Sequence, residues 1–348
     1  MKLKYQAFIE LNLHLTNYFE KHFRLKTWFG FRLLAIDGST TRLPMTEAIA
    51  KHFGVWNGRQ GKPSPMARIS QMFDVLNKIS VDALIKPKNI GERDLAAQHF
   101  LNVMPQDLIL LDRGYPAWWL FKLILSVDAN FCARVSCTKW KAVRKFFRSG
   151  LREKIIDLTV HPTSVAQCKQ MGLDTASLRL RLIRIENDGK TAVLITSLLD
   201  TQQYSSDMFN DLYHCRWPIE EDYKTIKCRM ELENFSGKSA LSVYQDFHAK
   251  VFAKNLIWII AFPINDSLEN EIEPKKHRYQ INFTQAFSKS KGVLALMFHD
   301  SKQKVRHLIA DLQLIFQRTV EPIRPGRKYP RNHKARPRKF FLQYKPIG

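Results

Sequence analysis

Six residues in this chain have the types and the spacing to act on a phosphate. Four of them lie in YHCRWPIEEDYKTIK: Tyr213, Arg216, Glu220 and Lys227. At about 100° per residue in a helix they fall at roughly 0°, 300°, 340° and 320°, on a face about 60° wide. A phenol, two cations and a carboxylate on so narrow a face suit a place where a metal ion and a phosphate meet. The other two are acids that close apolar runs: Asp37 ends FRLLAID, and Asp112 ends LILLD. Mg²⁺ takes a few carboxylate oxygens and leaves room for water and substrate phosphate. Three acids drawn from distant parts of a chain are what a two-metal phosphoryl-transfer site requires. Taken singly, each acid has an ordinary explanation. Asp37 precedes Gly38-Ser39 and Asp112 precedes Arg113-Gly114, both turn sequences. Glu220 stands beside Glu221 and Asp222, as acids do in a first helical turn. It is their conjunction with the Tyr/Arg/Glu/Lys face that points to chemistry.

The composition fits a polyanionic partner. Lys plus Arg number 55 against 32 acids, a net charge of +23 with a sequence pI near 9.9. Such an excess is the electrostatic footprint of nucleic-acid binding. It is spread along the chain, which favours a long track for a DNA backbone over a single basic tail. The five cysteines include no C-x-x-C pair and no zinc-type spacing with histidine. They read as reduced thiols of a cytoplasmic protein. The N-terminus carries charges throughout, unlike a secretory signal, and the most apolar run, Leu256–Ile264, is too short to span a bilayer.

The elements that must position these residues follow from periodicity. Residues 1–30 have an amphipathic helical pattern, with Phe8, Leu11, Leu15, Tyr18 and Phe19 at helical spacing. Strands are predicted at 31–37, 67–77, 79–87, 108–112 and 130–137, with helices at 93–103 and 118–126 and a loop at 51–65. This pattern predicts a mixed α/β sheet with its site at the carboxyl ends of central strands. The strand at 108–112 is expected beside that at 31–37, so that Asp37 and Asp112 meet. Residues 139–200 break the pattern and read as an inserted β-rich unit, with a hairpin signal at Asn187-Asp188-Gly189-Lys190. Helices are predicted at 206–215, from Pro218 to about Met230, and at 239–262. Pro218 disfavours a straight helix through all four residues of the face and fits best as the first residue of a new one. The segment 321–348 holds nine Lys or Arg, one Glu and five prolines. It reads as an extended or disordered basic tail that contacts DNA.

These segments resemble the DDE transposases of bacterial insertion sequences, of the insertion-sequence-four type. That family's signature is Tyr, two residues, Arg, three residues, Glu, six residues, Lys, and Tyr213, Arg216, Glu220 and Lys227 match it in type and spacing. LLAIDGSTTRLP and LILLDRGYPAWWLF also look like the family's two Asp segments, and the resemblance covers about 31–262. It implies an RNase H-like mixed-sheet core with an inserted β-rich subdomain and flanking helices. The expected division is an N-terminal helical segment at 1–30, core at 31–138, insertion at 139–200, and core helices carrying the catalytic Glu at 201–265. A C-terminal helical region at 266–320 and the tail at 321–348 complete it. Only 36 residues precede Asp37, so the resemblance makes 1–30 a truncated end-binding region.

The resemblance further implies that Asp37, Asp112 and Glu220 are catalytic and hold two Mg²⁺ ions, with Mn²⁺ as a substitute. Tyr213, Arg216 and Lys227 would contact phosphates of double-stranded DNA. Trp217 would stack on a displaced base, or else be a plain core residue. The implied activity is hydrolysis at transposon ends and 3′-hydroxyl strand transfer into target DNA, by a homodimer in the cytoplasm at the nucleoid, without a membrane. The alternatives are an RNase H-like nuclease lacking strand transfer and an inactive DNA-binding remnant. KTAVLITSLL lacks the aromatic that hairpin-forming relatives place there, which leaves hairpin formation unsupported.

Overall fold

The computed structural model describes residues 4–57, 63–187, 189–235, 237–269 and 277–324. In chain order its elements are α1 (Gln6–His22), β1 (Arg32–Arg42), α2 (Glu47–Phe53), β2 (Val55–Asn57), β3 (Pro63–Asp74) and β4 (Ile79–Pro87). Then come α3 (Glu92–His99), β5 (Asp107–Leu111), α4 (Trp118–Ser126), β6 (Asn130–Val135), α5 (Lys141–Arg148), β7 (Glu153–Leu158) and α6 (Pro162–Gln170). The chain continues through β8 (Leu178–Asn187), β9 (Lys190–Thr196), α7 (Met208–His214), α8 (Pro218–Lys224) and α9 (Ala240–Glu269). It ends with β10 (Tyr279–Ile281), α10 (Phe283–Met297), α11 (Lys302–Arg318) and β11 (Val320–Pro322).

These elements form two compact units. One comprises Arg24–Thr41 and Ala67–Tyr223; the other comprises the described residues of Met1–Phe23, Arg42–Met66 and Lys224–Gly348. The first is built on a mixed sheet in which the strands run β3-β1-β5-β6-β9-β8-β7, with β4 also on β3. Strands β1, β5 and β6 run parallel, while β4 is antiparallel to β3. Counting its first five long strands in chain order gives 3-2-1-4-5, the RNase H-like arrangement. Strands β1 and β5 are buried on both faces, which is why they read as continuous apolar runs. One face packs Leu34, Ile36, Ile109 and Leu111 against Trp118, Phe121 and Ile124 of α4. Phe121 stacks on Phe131 of β6 at 4.2 Å.

A buried ion pair fixes the register that matters most. Arg32 opens β1 and pairs with Asp107, which opens β5, through Nε–Oδ1 at 2.7 Å and Nη2–Oδ2 at 2.8 Å. Removing one member of a buried ion pair costs on the order of 3–5 kcal/mol, because the other charge stays buried with less compensation. A one-residue slip would also turn every side chain to the opposite face. With Arg32 opposite Asp107, Ile36 lies opposite Leu111, and the next residues on the two strands are Asp37 and Asp112.

Several elements differ from the sequence reading. Strand β1 does not stop at Asp37 but runs on to Arg42, because the polar GSTTR sequence still pairs in the sheet. Residues 55–57 and 63–65, expected in a loop, form an antiparallel pair; residues 58–62 lie outside the described set. Residues 139–200 supply β7, β8 and β9, and β9 pairs antiparallel with β6, so these strands extend the same sheet. They also supply two helices. In α5, Val143 and Phe146 are buried while Lys141, Arg144, Lys145 and Arg148 are exposed, an amphipathic pattern that makes KAVRKFFR helical. Asp188 of the expected hairpin and residues 325–348 of the basic tail lie outside the described residues.

The second unit is mainly helical and organised around α9, whose 30 residues exceed the expected 239–262. By length and composition α9 could cross a membrane; 72% of its most apolar stretch is buried within the protein. Phe262 meets Phe19 of α1 edge-on at 4.8 Å, and Asn255 donates to Asn12 at 2.7 Å. Ile257, Ile260 and Ile264 pack with Phe287 of α10 and Phe316 of α11.

Candidate active site

Asp37, Asp112 and Glu220 all lie in the sheet-based unit. Asp37 sits within β1, where the Gly38 N–H donates to its Oδ1 at 2.9 Å. Gly38 packs closely: a Cβ there would stand 3.1 Å from Glu92 Cγ and 3.3 Å from Tyr115 Oη. Asp112 follows β5 and begins a tight turn, with the Tyr115 N–H donating to its carbonyl at 3.0 Å. Arg93 clamps that turn from α3, its Nε donating to Tyr115 O and its Nη2 to Gly114 O, both at 2.9 Å. Glu220 lies in the first turn of α8, which begins at Pro218 as the sequence suggested. Tight three-residue turns carry the chain from α7 into α8: Arg216 N–H donates to Tyr213 O, and Glu220 N–H to Trp217 O.

Arg216 stands at the centre. Its Nη2 donates to Glu220 Oε1 at 2.5 Å, and its Nη1 lies 3.7 Å from Asp37 Oδ2. Tyr213 donates from Oη to Asp112 Oδ1 at 3.3 Å, and the Arg216 guanidinium lies 6.0 Å from the Tyr213 ring centroid. The three acids feel one another. Burial pushes the Asp37 carboxyl up to about 6; Arg216 and the Gly38 N–H oppose this, and Asp112 and Glu220 add to it. Burial works against the charge on Arg216, but Tyr213, Glu220, Asp37 and Asp112 together outweigh it and raise its pKa. Burial, then Asp112, raises the Tyr213 phenol, which remains a protonated donor.

The donor set suits a divalent cation: three hard carboxylates from three elements, one of them ionising with difficulty because it is buried. Among the described residues no three His, Cys, Asp or Glu side chains are already gathered as a ready metal cage. The Arg216 guanidinium holds Glu220 and faces Asp37, supplying the positive charge.

The remaining predicted residues lie differently. Trp217 is 42% exposed. Lys227 belongs to the helical unit and lies in a π-helical turn, Thr225–Arg229, that directly follows α8. The angular arithmetic of a straight α-helix therefore ends at Lys224. Burial lowers the Lys227 pKa, and Glu233 opposes that shift.

Periodicity did not reveal the residues that hold the Asp37 backbone. Its carbonyl accepts from Tyr223 Oη at 2.7 Å and from Ser70 Oγ at 3.4 Å. Ser70 bonds His99 Nε2 at 2.9 Å, and His99 Nδ1 bonds Asp82 Oδ2 at 2.7 Å. Tyr223, three residues after Glu220, was the one member with a local spacing to notice.

Asp37 within β1 and Asp112 just past β5 place two acids on adjacent parallel strands of this sheet. The family model described as "Transposase DDE domain" matches residues 28–256, and the chain belongs to that family. Its class of activity is accordingly polynucleotidyl transfer in DNA transposition, with the divalent-metal dependence general to the family. The chain is 24% identical over 317 residues to transposase InsG for insertion sequence element IS4 of Escherichia coli K12, covering 90% of this chain and 70% of that protein. A piggyBac transposase, solved by cryo-EM in a synaptic complex with hairpin DNA, aligns with TM-score 0.46 and 13% identity. That alignment covers 81% of this chain and 57% of the piggyBac chain.

Proposed function

We propose that this protein cuts phosphodiester bonds at transposon ends and joins the freed 3′-hydroxyl to target DNA. Asp37, Asp112 and Glu220 are the catalytic acids and would hold two Mg²⁺ ions, with Mn²⁺ as a substitute. The observation that carries this reading is the pairing of Ile36 with Leu111, which sets Asp37 and Asp112 next to each other in sequence register. Arg216 links Glu220 to Asp37. Bound there, the cations would supply Lewis-acid polarisation of the phosphoryl group and an activated water or 3′-hydroxyl.

The chain's own groups orient the DNA. Arg216 is 7% exposed, and its Nε and Nη1 have no hydrogen-bond partner among the described residues. Nη1 faces Asp37 and Nη2 holds Glu220, which leaves the buried Nε as the donor for a phosphate oxygen. Tyr213 is a neutral donor beside Asp112, and exposed Trp217 offers a face on which a base can stack. Lys227 adds a point charge for a DNA phosphate. The partners are double-stranded transposon ends and target DNA, the active complex is a homodimer, and the protein works in the cytoplasm at the nucleoid without a membrane.

The test is a joining assay. Duplexes from the flanks of the protein's own gene, with a free 3′-hydroxyl, are incubated with Mg²⁺ and supercoiled plasmid. Labelled strands covalently joined to the plasmid are expected. Cleavage without joining would make the protein a nuclease and reject the transposase mechanism.

A further inference from the structure

Three phenols face the carboxylates of this site, and two of them have partners. Tyr213 donates to Asp112, and Tyr223 donates to the Asp37 carbonyl. Tyr115 is different. It is 2% exposed, yet its Oη has no hydrogen-bond partner among the described residues. Leaving a hydroxyl buried and unpaired is unfavourable, so its presence there calls for a reason.

Its position is fixed by what surrounds it. The ring is part of the hydrophobic core with Ile36, Leu111 and Trp118. The backbone is tied at both polar groups, the N–H to Asp112 O and the carbonyl to Arg93 Nε. The hydroxyl therefore has little freedom to find another partner. It points to the residue after Asp37, standing 3.3 Å from where a Gly38 Cβ would be. Asp37, Glu92 and Asp112 act on it electrostatically, with Arg68 opposing them. Arg68 is paired to Glu92 at 2.9 Å.

Resting on the function proposed above, we propose that Tyr115 is a further catalytic residue: its Oη donates a hydrogen bond to a non-bridging oxygen of the phosphodiester being cut. A phenol keeps its proton through the neutral pH range, so it is available there as a donor. A neutral donor held rigidly beside the reacting phosphate stabilises charge that develops there without reorganising. It also adds no repulsion between itself and the anionic substrate, which a fourth carboxylate would.

The Tyr115→Phe variant tests this, because it keeps the core ring and removes only the hydroxyl. Two measurements are needed. In thermal denaturation without DNA, Tyr115→Phe is expected to melt at or above the wild-type temperature, since an unpaired buried group has been deleted. A lower melting temperature would reveal a structural partner and overturn the proposal. In cleavage of the flanking-DNA duplex, its kcat is expected to fall about 100-fold, as for loss of one oxyanion donor, with KM for DNA unchanged. Sulfur in place of the contacted oxygen should slow the wild type and erase its advantage over Tyr115→Phe, for one phosphorothioate diastereomer only. Wild-type kcat in Tyr115→Phe, or an equal advantage on both diastereomers, would also overturn it. Asp112→Asn separates the two readings: if wild type cuts, Asp112→Asn does not and Tyr115→Phe cuts at full rate, only the Tyr115 assignment falls. If wild type does not cut at all, both fall.

Discussion

An Asp112→Asn variant is expected to bind flanking DNA as tightly as the wild type and to cut it at least about 10³-fold more slowly, a loss on the scale of removing a principal charge-stabilising group from a site. The substitution is nearly isosteric. The new side chain would still follow β5, keep the turn to Tyr115 and accept from Tyr213 Oη through its amide oxygen. What disappears is one full negative charge, and with it one anionic oxygen donor for a divalent cation. DNA affinity should survive because it rests on an excess of cations, +23 over the chain, that this change does not reduce. Cleavage kinetics beside fluorescence anisotropy on the same duplex give both numbers. Undiminished cleavage would mean that Asp112 is not a metal ligand.

The second large effect concerns stability. Asp37→Asn is expected to make the metal-free protein more stable at pH 7 by up to about 3 kcal/mol, at 1.36 kcal/mol per pKa unit. The folded carboxyl titrates at about 6 against an ordinary 3.8, chiefly through burial. The folded protein thus holds the Asp37 proton more tightly than the unfolded chain does. Below pH 3.8 both states carry the proton and nothing is lost. As pH rises from 3.8 to 6 the unfolded chain releases it first, and folding stability drops; above 6 the loss is complete. The advantage of Asp37→Asn should therefore be full above about pH 6 and vanish below about pH 4. Asp74 shifts in the same direction, to about 6, but is present in both proteins and cancels in the comparison. Saturating Mg²⁺ should reverse the order at pH 7 by binding only the wild-type fold. Urea denaturation across this pH range reads all of it; an Asp37→Asn protein that is less stable at pH 7 would contradict the origin assigned to the shift.

Much of the frame could be read from residues alone, for physical reasons. Strands β1 and β5 are buried on both faces, so FRLLA and LILL are continuous apolar runs, and the acid after each run stands out. Pro218 announces its own helix start because it has no N–H to give. The extension of β1 through GSTTR was hidden, because a polar sequence that pairs along a sheet resembles a turn. The helix at 141–148 was hidden by its cations, which obscure a two-residue apolar stripe, Val143 and Phe146. The π turn at 225–229 has no spacing signature, so Lys227 was placed on the face of Glu220 by arithmetic that stops three residues short. The contacts of Asp37 with Ser70, and of Ser70 with His99, join residues about thirty apart, and only the folded sheet brings them together. Arg216 was expected to meet a phosphate; in the fold it also bonds the neighbouring carboxylate of Glu220.

Asp37, Asp112 and Glu220 are proposed to hold the cations of the reaction. Anomalous diffraction from crystals equilibrated with Mn²⁺, at a concentration that supports cleavage, tests this most directly. Manganese is expected on carboxylate oxygens of Asp37 and Asp112, with Glu220 released from Arg216 to reach it. Manganese bound only elsewhere, with Arg216 still bonded to Glu220, would contradict this assignment.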